Sequence, residues 1–242
     1  MTTLASWAAL DSRGVASLYL VSDSRFTNSV TGRADDAGQK IHVCLHEPHV
    51  FGFCGWVYFP AAAIGSLVKD IDRGVFFSPK DNLDARQERI VDFLRARLHD
   101  TLHTAYGKYA SAFNILHAAR EGVGLKSVFR LWIIRWSSAR NWQVSEIQMP
   151  EYSKLLYEDG SGATALLIEN ANWQRSDVSK TSRAVFSSFC DALAVGKDPY
   201  SGGAPQLGGL FRKSEGKYFG VIYRNNRYLK VNSLPARRYL TV

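Results

Sequence analysis

Apolar positions near the start of the chain come in short β-rich runs broken by turn residues. Leu4 to Leu10 and Ala16 to Val21 flank Asp11-Ser12-Arg13-Gly14, which predicts a hairpin. Lys40 to Leu45 and Val50 to Cys54 repeat the pattern around Glu47-Pro48-His49. The period then changes. From Pro60, Ala61, Ile64, Leu67, Val68 and Ile71 recur at three- and four-residue steps until Gly74, which predicts a helix. Asp81 to Ala105 predicts a longer one. Ile90, Phe93, Leu94, Leu98 and Leu102 fall on one face, and Arg86, Glu88, Arg95 and Arg97 cover much of the rest.

Strand patterns return at Ala112 to Ala118 and Val128 to Trp136, with shorter ones at Trp142 to Met149 and Lys154 to Tyr157. Gly162 to Asn170 reads as a short helix. Asp177 to Val195 reads as another, with Val178, Val185, Phe189 and Leu193 on one side and Ser176 or Asp177 as cap. Gln206 to Arg212, Tyr218 to Tyr223 and Tyr228 to Val231 close the chain as strands. Strands, two helices, strands, one or two helices, strands is the order expected of an α+β fold. Two antiparallel sheets covered by helix layers would satisfy it. No low-complexity linker interrupts the order, so a single domain over 1–242 is expected.

Composition narrows the function classes. Apolar residues make up 46% of the 242 positions, ample for a core and too many for a disordered chain. The net charge is +8, but the lysines and arginines are scattered, and the densest cluster is only Arg237-Arg238. Nucleic-acid binding is therefore not the expected main role. The three cysteines, Cys44, Cys54 and Cys190, form no CxxC and read as reduced, buried thiols of a cytoplasmic protein. No signal-peptide pattern and no apolar run near ~18 residues is present, so neither export nor a membrane span is expected.

Four stretches carry polar groups that a plain strand or helix would not need. They are Thr2-Thr3, Val21-Ser22-Asp23-Ser24-Arg25 just past a strand, Gln39-Lys40-Ile41 at the start of one, and Asp198-Pro199-Tyr200-Ser201-Gly202-Gly203 just past a helix. Two glycine turns join them, Phe53-Cys54-Gly55 and Gly160-Ser161-Gly162. In this order, over positions 2 to 203, the set resembles the proteasome β-subunits and their bacterial relatives. These are the threonine peptidases of the N-terminal-nucleophile hydrolase class, including the HslV and betaproteobacterial proteasome homologue types. The Asp-x-Tyr-Ser-Gly-Gly run is the most specific element. The resemblance implies a four-layer αββα sandwich. Thr2 to Asp23 runs a few residues longer than in the family, which an enlarged turn around Asp11 to Gly14 would explain. Ser137 to Glu151 and the tail from Ser214 align loosely.

The chemistry explains why such residues would gather. A threonine hydroxyl is a weak nucleophile unless a base is at hand. An N-terminal threonine supplies its own, because an α-amino group has a pKa of about 7.7–8.0. A neighbouring ammonium, Lys40, would lower that value and ease loss of the hydroxyl proton, and Asp23 would keep Lys40 charged and in place. By resemblance, Ser161, Asp198 and Ser201 organise the free amine and a water. The backbone N–H of Gly55 matches the family's oxyanion donor, typically worth about 3 kcal/mol. Phe53 matches a position that lines the pocket for the residue before the cut. The mechanism requires removal of Met1, since an acylated Thr2 nitrogen cannot act as a base. Thr3 is the fallback nucleophile.

The resemblance also implies homo-oligomeric rings, unfolded polypeptide substrates and, as an allowed partner, an ATP-dependent unfoldase. No metal or cofactor is called for. A catalytically silent ring scaffold of the same fold, or an amidase or ligase for small amides or one defined peptide, remain as alternatives. His42 and His46 share a face of the predicted strand. His99 and His103 sit one helical turn apart and read as an exposed pair rather than a zinc site. Trp132 and Trp136 read as core or interface aromatics.

Overall fold

Strand β1 (Leu4–Asp11) pairs antiparallel with β2 (Gly14–Ser22), and the register runs from Leu4–Ser22 to Asp11–Gly14. The turn is therefore Ser12-Arg13 alone, with Gly14 at φ 98°. The extra length expected in an enlarged turn lies in the strands instead, with a register shift between Ala9 and Leu10. Arg212 secures this end. Its guanidinium donates to both carboxylate oxygens of Asp11, at 2.6 and 2.8 Å.

A computed structural model describes residues 2–27, 31–230 and 232–234, the last three by backbone alone. Met1, Val231 and the Arg237-Arg238 pair lie outside the described residues. After β2 come a small ribbon of β3 (Phe26–Thr27) and β4 (Ala34–Asp35), then β5 (Ile41–Val43) and β6 (His49–Gly55). The strand predicted over Lys40 to Leu45 shortens to three residues. His46 therefore sits exposed in a loop and does not share a strand face with buried His42. Helix α1 (Tyr58–Asp72) holds Pro60 in its first turn, where a missing N–H is harmless. Helix α2 (Leu83–Leu102) starts after Asn82, whose side chain accepts the N–H of Ala85 at 2.9 Å. It ends three residues before the predicted Ala105.

Strands β7 (Phe113–Glu121), β8 (Val128–Ser137), β9 (Asn141–Ile147) and β10 (Lys154–Asp159) precede α3 (Ala163–Trp173) and α4 (Ser182–Val195). Thr181, not Ser176 or Asp177, caps α4 by accepting the N–H of Ala184 at 3.3 Å. Residues 176–181 form turns, because Lys180 takes a left-handed φ of 57° that no helix continues through. Strands β11 (Gln206–Phe211), β12 (Lys217–Tyr223), β13 (Asn226–Leu229) and β14 (Asn232–Leu234) follow.

The sheets are antiparallel. One runs β10-β1-β2-β11-β12-β13-β14 and the other β5-β6-β7-β8-β9. Alternation sorts their side chains into separate clusters. Leu4, Ala8, Leu18 and Leu20 of the first sheet pack with Ile41, Val50, Leu116 and Leu131 of the second. On its opposite face the first sheet offers Ala5, Trp7 and Val21 to Leu166 of α3 and to Val185 and Phe189 of α4. The second sheet offers Phe51, Phe53, Ile115 and Ile134 to Ile64 and Leu67 of α1 and to Ile90 and Leu94 of α2. Both faces of each sheet are therefore apolar along much of their length. Full burial of each such side chain contributes about 1.5–3 kcal/mol.

One polar relay interrupts this packing. His49 Nδ1 lies 2.9 Å from His117 Nε2, and His117 Nδ1 lies 2.5 Å from Gln87 Oε1 of α2. Arg86 Nη1, held at 3.0 Å by Glu47, approaches His49 Nε2 at 3.4 Å. The relay closes when both imidazoles are neutral with the proton on Nδ1, each donating to the next acceptor. Burial pushes His49 down to about 3 and His117 well below its usual range; burial likewise lowers His42 to about 4. These depressed values make stability full above about pH 6.5, and it is lost as pH falls, because the unfolded chain then binds protons that the folded one does not. Each group should cost about 1.4 kcal/mol by pH 5.5, or about 4 kcal/mol together. Urea titrations at pH 7.5 and 5.5 measure this, and a His117→Asn variant should show a shallower pH dependence. A stability that does not change over this range would contradict the neutral relay.

Candidate active site

Thr2 and Thr3 lie just ahead of β1, Asp23 just past β2, and Lys40 just ahead of β5, so three strand ends meet. All four residues are buried, and Thr2, Asp23 and Lys40 have no exposed surface. Lys40 Nζ donates to Thr2 Oγ1 at 2.7 Å and to Asp23 Oδ1 at 2.8 Å. Burial pulls the pKa of Lys40 below the ordinary lysine range, and the charge and hydrogen bond of Asp23 work against that fall.

Asp23 accepts four donors. Oδ1 takes Lys40 Nζ and the N–H of Thr3 at 3.0 Å; Oδ2 takes the N–H groups of Arg25 at 3.1 Å and Gly202 at 3.0 Å. A carboxylate so surrounded is rigid as well as charged. The Gly202 bond also brings the Asp198 to Gly203 loop against Asp23. In that loop Asp198 Oδ2 accepts Ser201 Oγ and Ser161 Oγ, each at 2.6 Å. Ser201 Oγ lies 2.7 Å from Thr3 Oγ1. The two threonines thus differ: the hydroxyl of Thr2 faces the lysine, while that of Thr3 faces the serine–aspartate pair.

The glycine turns have steric causes. Gly55 takes φ 92°, and a Cβ there would lie 2.5 Å from the carbonyl oxygen of Ala112. Gly160, at φ 90°, passes so close to the carbonyl of Thr2 that a side chain would collide with it. Ser161 is thereby carried to the same strand end as Thr2.

Several supporting residues carry no motif. Gln206 Oε1 accepts the N–H groups of Lys40 and Ile41 at 2.9 and 3.3 Å, while its amide donates to Gly38 and Asp23 carbonyls at 2.6 and 3.3 Å. It sets the backbone that aims Lys40. A glutamine at the start of a strand reads as an ordinary solvated position, so the sequence holds no signal for it. Arg25 grips Asp36 through two nitrogens at 2.6 and 2.9 Å and the Pro199 carbonyl at 3.1 Å, bracing the loop from outside.

The remaining sequence candidates lie apart from this chemistry or pack against it. Cys44 and Cys54 are buried thiols pushed upward by burial, and Cys190 is half-buried. His99 and His103 are an exposed pair with rings 4.5 Å apart. Trp132 and Trp136 are buried in the second sheet. Phe53 is fully buried beside Phe26 and His42, with ring centroids at 6.4 and 6.2 Å.

No protein-family model and no curated protein matches the chain by sequence. Solved structures do. The chain is similar to the Anbu (Gly-1) mutant from Hyphomicrobium sp. strain MC1, at 11% identity and TM-score 0.56, with 96% of this chain and 87% of that one covered. It is similar to BPH from Thiobacillus denitrificans at 17% identity and TM-score 0.50, covering 88% and 99%. Eukaryotic HslV from Trypanosoma brucei follows at 10% identity and TM-score 0.48, covering 86% and 99%. At such identities the likeness to Anbu and BPH speaks for the fold alone, which the chain shares with those two proteins.

The buried Lys40–Asp23 pair carries a stability prediction. Asp23→Ala would leave an ammonium enclosed without a counter-charge and four donors without an acceptor, at a cost of about 3–5 kcal/mol. Asp36→Ala removes a more exposed ion pair and should cost under about 1 kcal/mol. Denaturant unfolding of the two variants at pH 7.5 compares them directly, and equal losses would contradict the enclosed-charge account.

Proposed function

We propose that the protein is a threonine-type peptidase that hydrolyses peptide bonds of unfolded polypeptides through an ester on Thr2, formed after Met1 is removed. One observation carries this reading: Lys40 Nζ stands 2.7 Å from Thr2 Oγ1 while bound to Asp23. An ammonium donating to a hydroxyl oxygen stabilises the alkoxide that develops there, and it leaves the hydroxyl proton free for a separate base. The α-amine of Thr2 is that base. Its position at the chain's own nucleophile needs no histidine.

The reaction runs in two halves. Thr2 Oγ bonds to the scissile carbonyl carbon as its proton passes to the α-amine. The carbonyl oxygen becomes an oxyanion that the N–H of Gly55 receives. The C–N bond breaks, the leaving nitrogen takes the proton, and a threonyl ester remains. Water then gives a proton to the same amine and attacks the ester, which releases the acid and restores the hydroxyl. Ser161, Ser201 and Asp198 hold the amine and the water in place. Phe53, with Phe26 and His42 packed around it, narrows the pocket for the residue before the cut.

The same reading takes the apolar clusters as the three cores of a four-layer αββα sandwich forming one domain. It places the subunit in a homo-oligomeric ring, where enclosure protects other proteins from an unselective site, and allows an ATP-dependent unfoldase as feeder. The reading assigns the ring to the cytoplasm. Among the described residues no helix is long and apolar enough to cross a membrane.

Intact mass spectrometry with a peptide epoxyketone, which engages both a hydroxyl and a free α-amine, tests the reading. The expected result is loss of Met1 and one adduct per chain on Thr2, absent in Thr2→Ala and retained in Thr3→Ala. Retained Met1 or an adduct elsewhere would overturn it. Lys40→Ala should lower kcat at least a hundredfold. The kcat/KM profile should rise as the amine deprotonates, at or below about pH 8, and fall again below the ordinary lysine range as Lys40 loses its proton. A large ring by analytical ultracentrifugation separates this protease from a monomeric amidase.

A further inference from the structure

Resting on that reading, we propose that Asp159 is a positioning residue. It sets the distance between the Thr2 hydroxyl and the N–H of Gly55 by tying the edge strand of the first sheet to the facing strands of the second. Thr2 belongs to the first sheet's end of the site and Gly55 to β6 of the second. The rate of attack depends on holding the two groups to a few tenths of an ångström. The core between the sheets is leucine, isoleucine, valine and alanine, with Phe129 and Cys54 among them. Apolar contact of this kind is strong but non-directional, and does not by itself fix how one sheet sits along the other.

Asp159 supplies the direction. It closes β10, the edge strand, and pairs with Leu4, two residues from Thr2. Its Oδ2 accepts Asn114 Nδ2 at 2.5 Å. Asn114 sits on β7 opposite Cys54, one step from the Gly55–Phe113 pair. Burial raises the pKa of the Cys54 thiol, next to Gly55, and the charge of the same carboxylate adds to that rise. From its own sheet, Asp159 takes Tyr157 Oη at 2.5 Å and the N–H of Gly160 at 2.6 Å. Gly160 is the residue pressed against the carbonyl of Thr2. One carboxylate therefore joins the Thr2–Gly160 contact on one side to the Cys54–Asn114 pair, one step from Gly55, on the other. Burial raises the pKa of this group, yet the hydrogen bonds of Tyr157, Gly160 and Asn114 hold it below the usual carboxylate range, so it is ionised and strongly accepting at neutral pH.

The roles of the donors differ. Tyr157 lies on the same strand as Asp159, so its bond orders the carboxylate without crossing between sheets. Asn114 crosses. A residue that only stabilised the fold would respond alike to loss of either donor. A positioning residue would lose kcat mainly when the crossing bond goes.

Peptide hydrolysis by the processed full-length protein tests this, with Asn114→Ala, Asp159→Asn and Tyr157→Phe beside the wild type and melting temperatures recorded for each. For Asn114→Ala and Asp159→Asn, kcat should fall tenfold or more with KM changed less than threefold. The epoxyketone adduct should form more slowly in parallel, and both limbs of the pH profile should stay in place. Tyr157→Phe should lose less than threefold in kcat even where its melting temperature falls as much as that of Asn114→Ala. Asn114→Ala keeps the proposal testable if Asp159→Asn does not fold. A kcat within twofold of wild type in Asn114→Ala, or losses that follow melting temperature across all three variants, would overturn the proposal while leaving the threonine mechanism standing. A wild-type protein that has lost Met1 and yet forms no adduct would overturn the threonine mechanism, and this proposal with it.

Discussion

The ammonium group of Lys40 has no contact with solvent, and the site is organised around that fact. An enclosed positive charge costs several kcal/mol unless a counter-charge and hydrogen bonds meet it. Asp23 is the counter-charge, and it too must be held. Its four donors come from Lys40, from the start of β1, from the residue after Ser24, and from the Asp198 to Gly203 loop. Neutralising one lysine therefore fastens three strand ends and a distant loop to one another. The same bonds put the lysine on the hydroxyl of Thr2. In the proposed mechanism stability and chemistry draw on this one set of contacts, and a change to Asp23 reaches both.

Around this polar knot the chain is built from apolar layers whose two-residue alternation assigns each side chain to one cluster or another. Such layers supply most of the folding energy but little angular precision. Precision comes from the few buried polar groups that cross between elements. Gln206 aims the backbone of Lys40, Asp159 reaches Asn114 from one sheet to the other, and the His49–His117–Gln87 relay docks α2 on the second sheet. The first two lie beside the threonines. The third lies away from them and sets the acid tolerance of the fold.

Much of this order could be read along the chain. Strand and helix types followed the change of apolar period, and Asp23, Lys40, Asp198 and Ser201 stood out as polar groups at strand or helix ends, Ser161 by its place in a glycine turn of the family resemblance. Boundaries were less legible. Thr181 caps α4, where the sequence pointed to Ser176 or Asp177, since the start of the helix turns on the left-handed Lys180. The hairpin at Asp11 is tight although a longer turn accounted equally well for its length, since a bulge within a strand leaves no mark on its pattern. Nothing along the chain told the two threonine hydroxyls apart, and that of Thr3 meets Ser201.

What the sequence alone determined was the kind of element at each place and the presence, in order, of a threonine pair, an acid, a lysine and two glycine turns. Local periodicity and local turn chemistry are enough for that. Only the tertiary structure decided which oxygen faces the lysine, that Asp23 is saturated with donors, and that Asp159 and Asn114 meet across the sheets. Those facts depend on strand register and on the approach of one sheet to the other. Residues more than 40 positions apart, each an ordinary polar residue in its own strand, become partners only when the apolar layers between them close.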